Sequence, residues 1–275
     1  MERFPARIHV LLARNKPVGV VIRRGPTKQV GTLLWDRSED KFTLAQWLKG
    51  RIYERRSDLS PDGKYMIYFA MNGKWSSETG GSWTAISRAP WLKAITLLGK
   101  GDCWSGGGLF TGDRSYWLND GYGHRLIQDS REVCRDTTYQ VKEFYGGECP
   151  GVYYVRLQRD GWTYLRPDKP GTWKDLDVFE KLLEGGWILR KFAHVEVGAP
   201  PGKGCYWDEH ELEHPASGVI LSYPKWEWAE WERNRLVWST AGCLYTGSLK
   251  SYELKDVKLI YDFNDLQFEP QSAPY

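Results

Sequence analysis

The sequence predicts an all-β fold, and three observations predict it. The stretch Asp58-Leu59-Ser60-Pro61-Asp62-Gly63-Lys64, followed by Tyr65 to Met71 and then Asn72-Gly73, reads as a β-hairpin. Pro61 presets φ, Asp62 can bond its own backbone and Gly63 accepts positive φ, so the turn has a mechanism. Tyr65 to Met71 is apolar or aromatic throughout, and a strand apolar on both sides must be covered on both faces. The second observation is recurrence: strand, turn, aromatic strand and second turn reappear at Leu109 to Gly121, at Tyr153 to Leu165, and at Trp226 to Trp238 followed by Ala241-Gly242. Their spacing, roughly 40 to 70 residues, is at or above a propeller blade period, insertions accounting for the excess. The third is composition, with 15 Trp, 16 Tyr and 29 Gly favouring flat rings between sheets and tight turns over a helical bundle.

Taken in order, Arg7 to Ala13, Val18 to Arg23, Val30 to Asp36 and Phe42 to Leu48 form a first blade over residues 8 to 50, with a turn at Gly25-Pro26. The alternation in Phe42 to Leu48 is that of a half-exposed outer strand. A second blade runs from Arg51 to about Lys100: after the hairpin, Lys74 to Ser82 is a surface loop, and Trp83 to Arg88 and Leu92 to Leu98 supply the outer strands. Gly101 to Gly108 reads as a flexible connection holding Trp104. A third blade spans Leu109 to near Tyr145, with Asp129 to Thr138 a charged insertion able to form one helical turn. The fourth begins at Gly151; Thr172 to Leu183 suits a helix or a strand, and the Gly185-Gly186 turn before the strand Trp187 to Val195 favours a strand over Val178 to Leu183. Ala199 to Gly204 is the best linker candidate, too short to part domains that each own a core. A fifth blade takes Cys205 to about Thr246, with Val219 to Tyr223 as an extra strand. The expectation is one propeller over residues 1 to 275, five blades or, alternatively, six. Val257 to Phe263, with Arg7 to Ala13 as rival, would close the ring, since exposed sheet edges must be hidden.

Ser60-Pro61-Asp62-Gly63-Lys64 before an apolar strand resembles the blade signature of TolB-like and WD40-like β-propellers, and Leu33-Leu34-Trp35-Asp36 resembles the strand ending in Trp-Asp of a WD40 blade. The Gly-His pair of a WD40 repeat is missing, and one copy of the Ser-Pro-Asp-Gly turn is intact. Arg51 to Arg56 running into that turn, and the ending Tyr261-Asp262-Phe263-Asn264, are similar to uncharacterised bacterial propeller-like proteins. The resemblance implies a fold and no activity; a partner encoded nearby, in a bacterial signalling or defence setting, is what it suggests.

The 38 basic and 35 acidic residues nearly cancel, so no general attraction to nucleic acid or anionic membrane follows. No run of about 20 apolar residues occurs. Met1 to Arg7 places charges where a signal peptide needs its apolar core, so the expected location is cytoplasmic. Five cysteines, Cys103, Cys134, Cys149, Cys205 and Cys243, are widely separated without a Cys-x-x-Cys pair and read as reduced, mostly structural thiols.

No catalytic residue, metal site or cofactor is expected. Asp208 to His214 is the one dense ligand cluster, but in a strand His210 and His214 would lie about 13 Å apart, and an acidic surface loop is the favoured reading. Gly106-Gly107-Gly108 lacks the Gly-x-x-x-x-Gly-Lys-Ser/Thr pattern of a phosphate loop. Ser60, Ser105 and Thr111 have no partner that marks a nucleophile, and Gly-x-Ser-x-Gly is absent. The polar run Arg51, Tyr53, Arg55 and Arg56 is the most informative group: alternate residues of an innermost strand would face a central channel, or the arginines would pair with Glu54 and Asp58 at a blade junction. Trp75 and Trp104 fall in hydrophilic loops and are the aromatic residues expected at the surface. The reading is a non-enzymatic module, an adaptor or regulatory subunit, binding another protein through Arg51, Tyr53, Arg55, Arg56, Trp75 and Trp104. A propeller hydrolase or lyase with its site in the channel, and a Trp-based carbohydrate binder, are the alternatives.

Overall fold

The computed structural model describes residues 4–25, 28–121, 123–165, 174–199 and 203–275. Five sheets follow the chain. The first is a meander of β1 (Arg7–Leu12), β2 (Val18–Arg24), β3 (Gln29–Asp36) and β4 (Lys41–Lys49). The second is β5 (Arg51–Leu59), β6 (Tyr65–Met71), β7 (Ser82–Arg88) and β8 (Ala94–Gly99), extended at its outer edge by β11 (Arg125–Gln128). The third is β9 (Gly108–Phe110), β10 (Ser115–Leu118) and β12 (Cys134–Arg135), the last running parallel to β10. After the helix α1 (Cys149–Arg159), the fourth holds β13 (Thr163–Leu165), β14 (Lys174–Leu182), β15 (Ile188–Glu196), β16 (Tyr206–His214) and β17 (Val219–Tyr223). The fifth is β18 (Trp228–Glu232), β19 (Arg235–Thr240), β20 (Cys243–Lys250) and β21 (Glu253–Asp262). The all-β expectation holds in this form. The chain divides into two compact units, His9–Arg156 with the tail Leu266–Tyr275, and Pro5–Ile8 with Leu157–Asp265.

In the first unit the Ser60 to Gly63 turn closes as its residues require. Ser60 Oγ donates to Asp62 Oδ1 at 2.7 Å and accepts the Tyr65 N–H at 2.9 Å, while Gly63 takes φ 75°. β6 is covered on both faces. Met66, Tyr68 and Ala70 pack with Leu11, Val20, Ile22 and Val30, whereas Ile67 packs with Ile86, Leu98, Phe110, Tyr116 and Leu118. Each such fully buried aliphatic side chain contributes about 2 kcal/mol. β4 is the half-exposed outer strand that its alternation predicts.

In the second unit stacked rings link sheets, as the Trp and Tyr content anticipates: Tyr223 on Trp226 at 3.8 Å, Trp226 on Trp238 at 4.7 Å, Trp238 on Tyr245 at 5.9 Å between centroids. β14 confirms a strand over Val178 to Leu182, and β15 pairs with it from Ile188. Ala6 N–H donates to Asn264 Oδ1 at 2.9 Å, and the Ser239 hydroxyl donates to Ile8 O at 3.1 Å.

Several expectations are corrected. Tyr153 to Leu157 is not a strand but the body of α1, with Val152, Tyr153, Tyr154 and Leu157 buried. Pro150 suits the first turn of a helix, and Asp160-Gly161 is its stop: Trp162 N–H reaches Leu157 O at 2.9 Å and Gly161 N–H reaches Gln158 O at 3.2 Å, with Gly161 at φ 88°. Hairpin turn and helix stop both call for a glycine at positive φ, so one dipeptide serves either. Asp208 to His214 is no acidic surface loop but the main part of β16, whose period of two turns Asp208, His210, Leu212 and His214 inward. Asp129 to Thr138 supplies the strand pair Cys134–Arg135 and no helical turn. The terminal strands close no ring by pairing: among the described residues β1 neighbours β2 alone and β21 neighbours β20 alone. Pro200 to Gly202 of the linker candidate and Pro26 of the first turn lie outside the described residues.

Candidate functional site: a pinned aromatic loop pair

The six residues singled out in the sequence all belong to the first unit. Strict alternation along β5 would align Arg51, Tyr53 and Arg55 on one side, but β5 carries a bulge, its register against β6 jumping from Tyr53↔Phe69 to Asp58↔Ile67. Ser57 Oγ donates to Tyr53 O at 3.0 Å across the bulge. Alternation already parts the two central arginines; the inserted residues exchange their sides, so that Arg56 and not Arg55 comes back to Tyr53. Arg56 lies 5.0 Å over the Tyr53 ring and 5.1 Å over Phe69, whereas Arg55 lies 4.8 Å over Tyr153 of α1. Both are buried, so neither is available as a surface contact, which corrects their expected role. Arg51 remains exposed, 4.5 Å over Tyr53. Burial raises the Tyr53 phenol above its usual range, against the pull of Arg51 and Arg56.

Arg56 does its work from beneath a loop. Its Nη1 donates to Cys103 O at 2.7 Å and to Ser105 O at 2.6 Å, the carbonyls on either side of Trp104. The same loop is also held by its own Asp102, whose Oδ1 accepts Trp104 N–H at 2.8 Å, whose Oδ2 meets Lys100 Nζ at 2.8 Å, and whose carbonyl accepts the Ser82 hydroxyl at 2.6 Å. Trp104 is thereby presented on a fixed backbone with 52% of its surface exposed. The glycines after it are not a flexible connection: a Cβ on Gly107 would lie 1.9 Å from Arg56 O, so glycine is there for close approach.

Trp75 rides the neighbouring loop, which is closed by Asn72 N–H to Gly81 O at 3.0 Å and by an Asx turn from Lys74 N–H to Asn72 Oδ1 at 2.9 Å. Its ring lies over Gly81, where a Cβ would come within 2.7 Å of it, and 59% of its surface faces solvent. The two loops run side by side, joined by Lys100 N–H to Ser82 O at 3.0 Å, and a Cβ on Gly80 would be 3.0 Å from Gly101 Cα. A third aromatic escaped sequence reasoning. Phe144, 75% exposed, precedes the loop residue Gly147, whose carbonyl accepts the Ser105 N–H. No local turn or strand signal marks it.

Also unforeseen is a relay inside this support. His124 Nδ1–H donates to Asp120 Oδ1 at 2.8 Å, and Thr84 Oγ1–H donates to His124 Nε2 at 3.0 Å. The order acid, imidazole, hydroxyl is that of a nucleophilic triad. Thr84 is fully buried, however, and its oxygen already accepts Gly107 N–H at 2.8 Å, so the relay fixes the glycine loop and offers no nucleophile to a substrate. Burial lowers the His124 pKa, opposed by its bond to Asp120; Asp120, which burial would raise, is held low by His124 and Arg135. The buried Cys149 thiol is pushed up by burial, against the pull of Arg56 and Arg55. All five cysteines are free.

In the second unit His210 and His214 face the same side of β16 but have separate partners. His210 Nδ1–H donates to Trp226 O at 3.0 Å while its Nε2 accepts from Lys191 Nζ at 2.8 Å, and His214 Nε2 bonds Gly185 O at 3.1 Å. Among the described residues no group of three or more His, Cys, Asp or Glu is placed to hold a metal ion.

No family model matches the chain. No curated protein matches it either. Among solved structures, two mutants of the Synechocystis apocarotenoid oxygenase align over 94% of this chain and 51% of theirs, at 10% identity and TM-scores of 0.21 and 0.19. A chimera of that oxygenase with RPE65 aligns over the same shares at 9% identity and a TM-score of 0.20. The chain spans about half the length of these structures, and likeness at this level carries no argument about what it does. Among the described residues no helix is long and apolar enough to cross a membrane.

Proposed function

We propose that the five sheets are blades of one β-propeller and that the protein is a non-enzymatic adaptor or regulatory subunit, capturing another protein through the loops that carry Trp75 and Trp104. The observation that carries this reading is the fixing of the Trp104 loop by Arg56 and Asp102 while the indole itself is half in solvent. A large aromatic surface on a backbone that is already ordered loses little entropy on binding, which is what an interface anchor requires. The sequential meanders of the first, fourth and fifth sheets, and of β5 to β8 in the second, support a blade architecture. Arg51 and Phe144 are further exposed residues of the first unit that such a face would use, and Arg56 serves it from within.

The test is affinity capture from the native host with the wild-type chain and with Trp75→Ser/Trp104→Ser, identifying partners by mass spectrometry and measuring affinity on the purified pair. Exposed Trp anchors of this kind are worth about 2 kcal/mol or more each, so the double variant is expected to bind at least about 100-fold more weakly. Its unfolding free energy should stay within about 0.5 kcal/mol of wild type. Undiminished capture by the variant would refute the reading. Saturable glycan binding lost in the same variant, with no protein captured, would instead identify a carbohydrate binder.

A further inference from the structure

The fourth sheet has an inner face that is core and an outer face whose side chains can be placed row by row from its register. One row is Leu182, Ile188, Glu213 and Ile220; the next is Glu180, Arg190, Glu211 and Ser222; the next is Val178, Phe192 and Glu209. Leu176, His194 and Trp207 form the last. Successive rows are about 7 Å apart, two residues of strand rise. Two bands bearing apolar side chains therefore flank a charged one at about 13 Å separation. Leu182 is 81% exposed, Ile220 57% and Leu176 45%, which is unusual for large aliphatic residues sharing one sheet face. The charges of the middle band and of Glu213 in the row beside it are unbalanced. Arg190 Nη1 meets Glu211 at 2.5 Å, and its Nη2 meets Glu180 at 2.7 Å and Glu213 at 2.5 Å, so one guanidinium answers three carboxylates. Glu180, Glu209, Glu211 and Glu213 outnumber Arg190 and the Lys203 that meets Glu209, so the face carries net negative charge on a chain whose overall charge is +3.

We propose that this outer face is a second docking surface, and that its occupant is a cationic amphipathic helix of a partner protein. Leucine-like side chains about two turns apart would settle on the Leu182/Ile220 and Leu176/Val178/Phe192 bands. Lysine or arginine between them would meet the surplus carboxylates of Glu180, Glu211 and Glu213. Among the described residues the edge strands β13 and β17 have three and five residues, so the face offers more area than strand addition would. The surface belongs to the second unit.

The experiment titrates the full chain with a synthetic amphipathic Leu/Lys peptide and with a Leu/Glu peptide of the same spacing, by calorimetry at two salt concentrations. Wild type is expected to bind the Leu/Lys peptide, about tenfold more weakly at high salt, and to ignore the Leu/Glu peptide. Leu182→Ser/Ile220→Ser, exposed positions that leave the fold intact by circular dichroism, should weaken binding at least about tenfold. Equal binding by that variant, or equal binding of both peptides, overturns the proposal. So does concentration-dependent self-association by sedimentation that the same variant abolishes, which would make the occupant a second copy of the chain.

Discussion

At the scale of single residues, the same side-chain type has opposite fates within a few positions. Arg51, Arg55 and Arg56 are near neighbours in sequence, yet one is a solvent-facing cation, one packs on Tyr153 and one holds the carbonyls beside Trp104. Alternation parts Arg55 from Arg56, and the bulge in β5, which no residue type announces, decides that Arg56 is the one beside Tyr53. His124 has a measurable signature. Its folded-state pKa is lowered, so the unfolded chain binds the proton more readily, and stability must fall as pH drops below the unfolded value near 6.5. The lowered Asp120 contributes stability at higher pH that is lost on further acidification through its own folded value, steepening the same acid limb. Urea unfolding between pH 7 and 5 should therefore show a slope of up to about 1.4 kcal/mol per pH unit from this one group. His124→Gln is expected to flatten that slope, and an unchanged slope would refute the assignment.

At the scale of elements, the hairpins around Gly63 and Arg233-Asn234 were legible because turn chemistry and flanking apolar runs agree there. The segment at Tyr153 to Leu165 reads as a hairpin in sequence because Asp160-Gly161 fits two structures. What decides is α1, which buries Val152, Tyr153, Tyr154, Leu157 and Arg156 together, a 3.6-residue pattern hidden by β-favouring side chains. Gly161 at φ 88° is then the residue on which the helix end depends. Gly161→Ala is expected to cost about 1 kcal/mol in chemical denaturation, with the far-ultraviolet spectrum retained. A neutral substitution would refute the left-handed stop at Gly161. Likewise β16 was hidden by its charges: Asp208 and His210 are inward residues because Lys191, itself buried, is there to meet them.

At the scale of the whole molecule, the chain ends are recruited far from their sequence neighbours. Tyr275 donates its hydroxyl to Lys93 O at 2.7 Å and accepts Arg88 N–H at 3.1 Å, its ring lying 4.6 Å under the Arg88 guanidinium, and Gln46 Nε2 reaches Gln271 O at 3.1 Å. Tyr275→Phe is expected to lower the unfolding free energy by about 1 kcal/mol, and removal of Leu266 to Tyr275 by more. Thermal melting checks both, and an unaltered transition in the truncated chain would show that the tail contributes nothing.

By itself the sequence determined what is local: the period-two strands, the Ser60 to Gly63 turn, and the exposure of Trp75 and Trp104, because φ preferences and alternation act over a few residues. Tertiary structure alone decided which polar side chains are interior, how β11 and β12 return to earlier sheets, and that Arg56 supports the Trp104 loop from 47 residues away. Those outcomes depend on partners brought together across the chain, and a buried charge is stable only where such a partner waits.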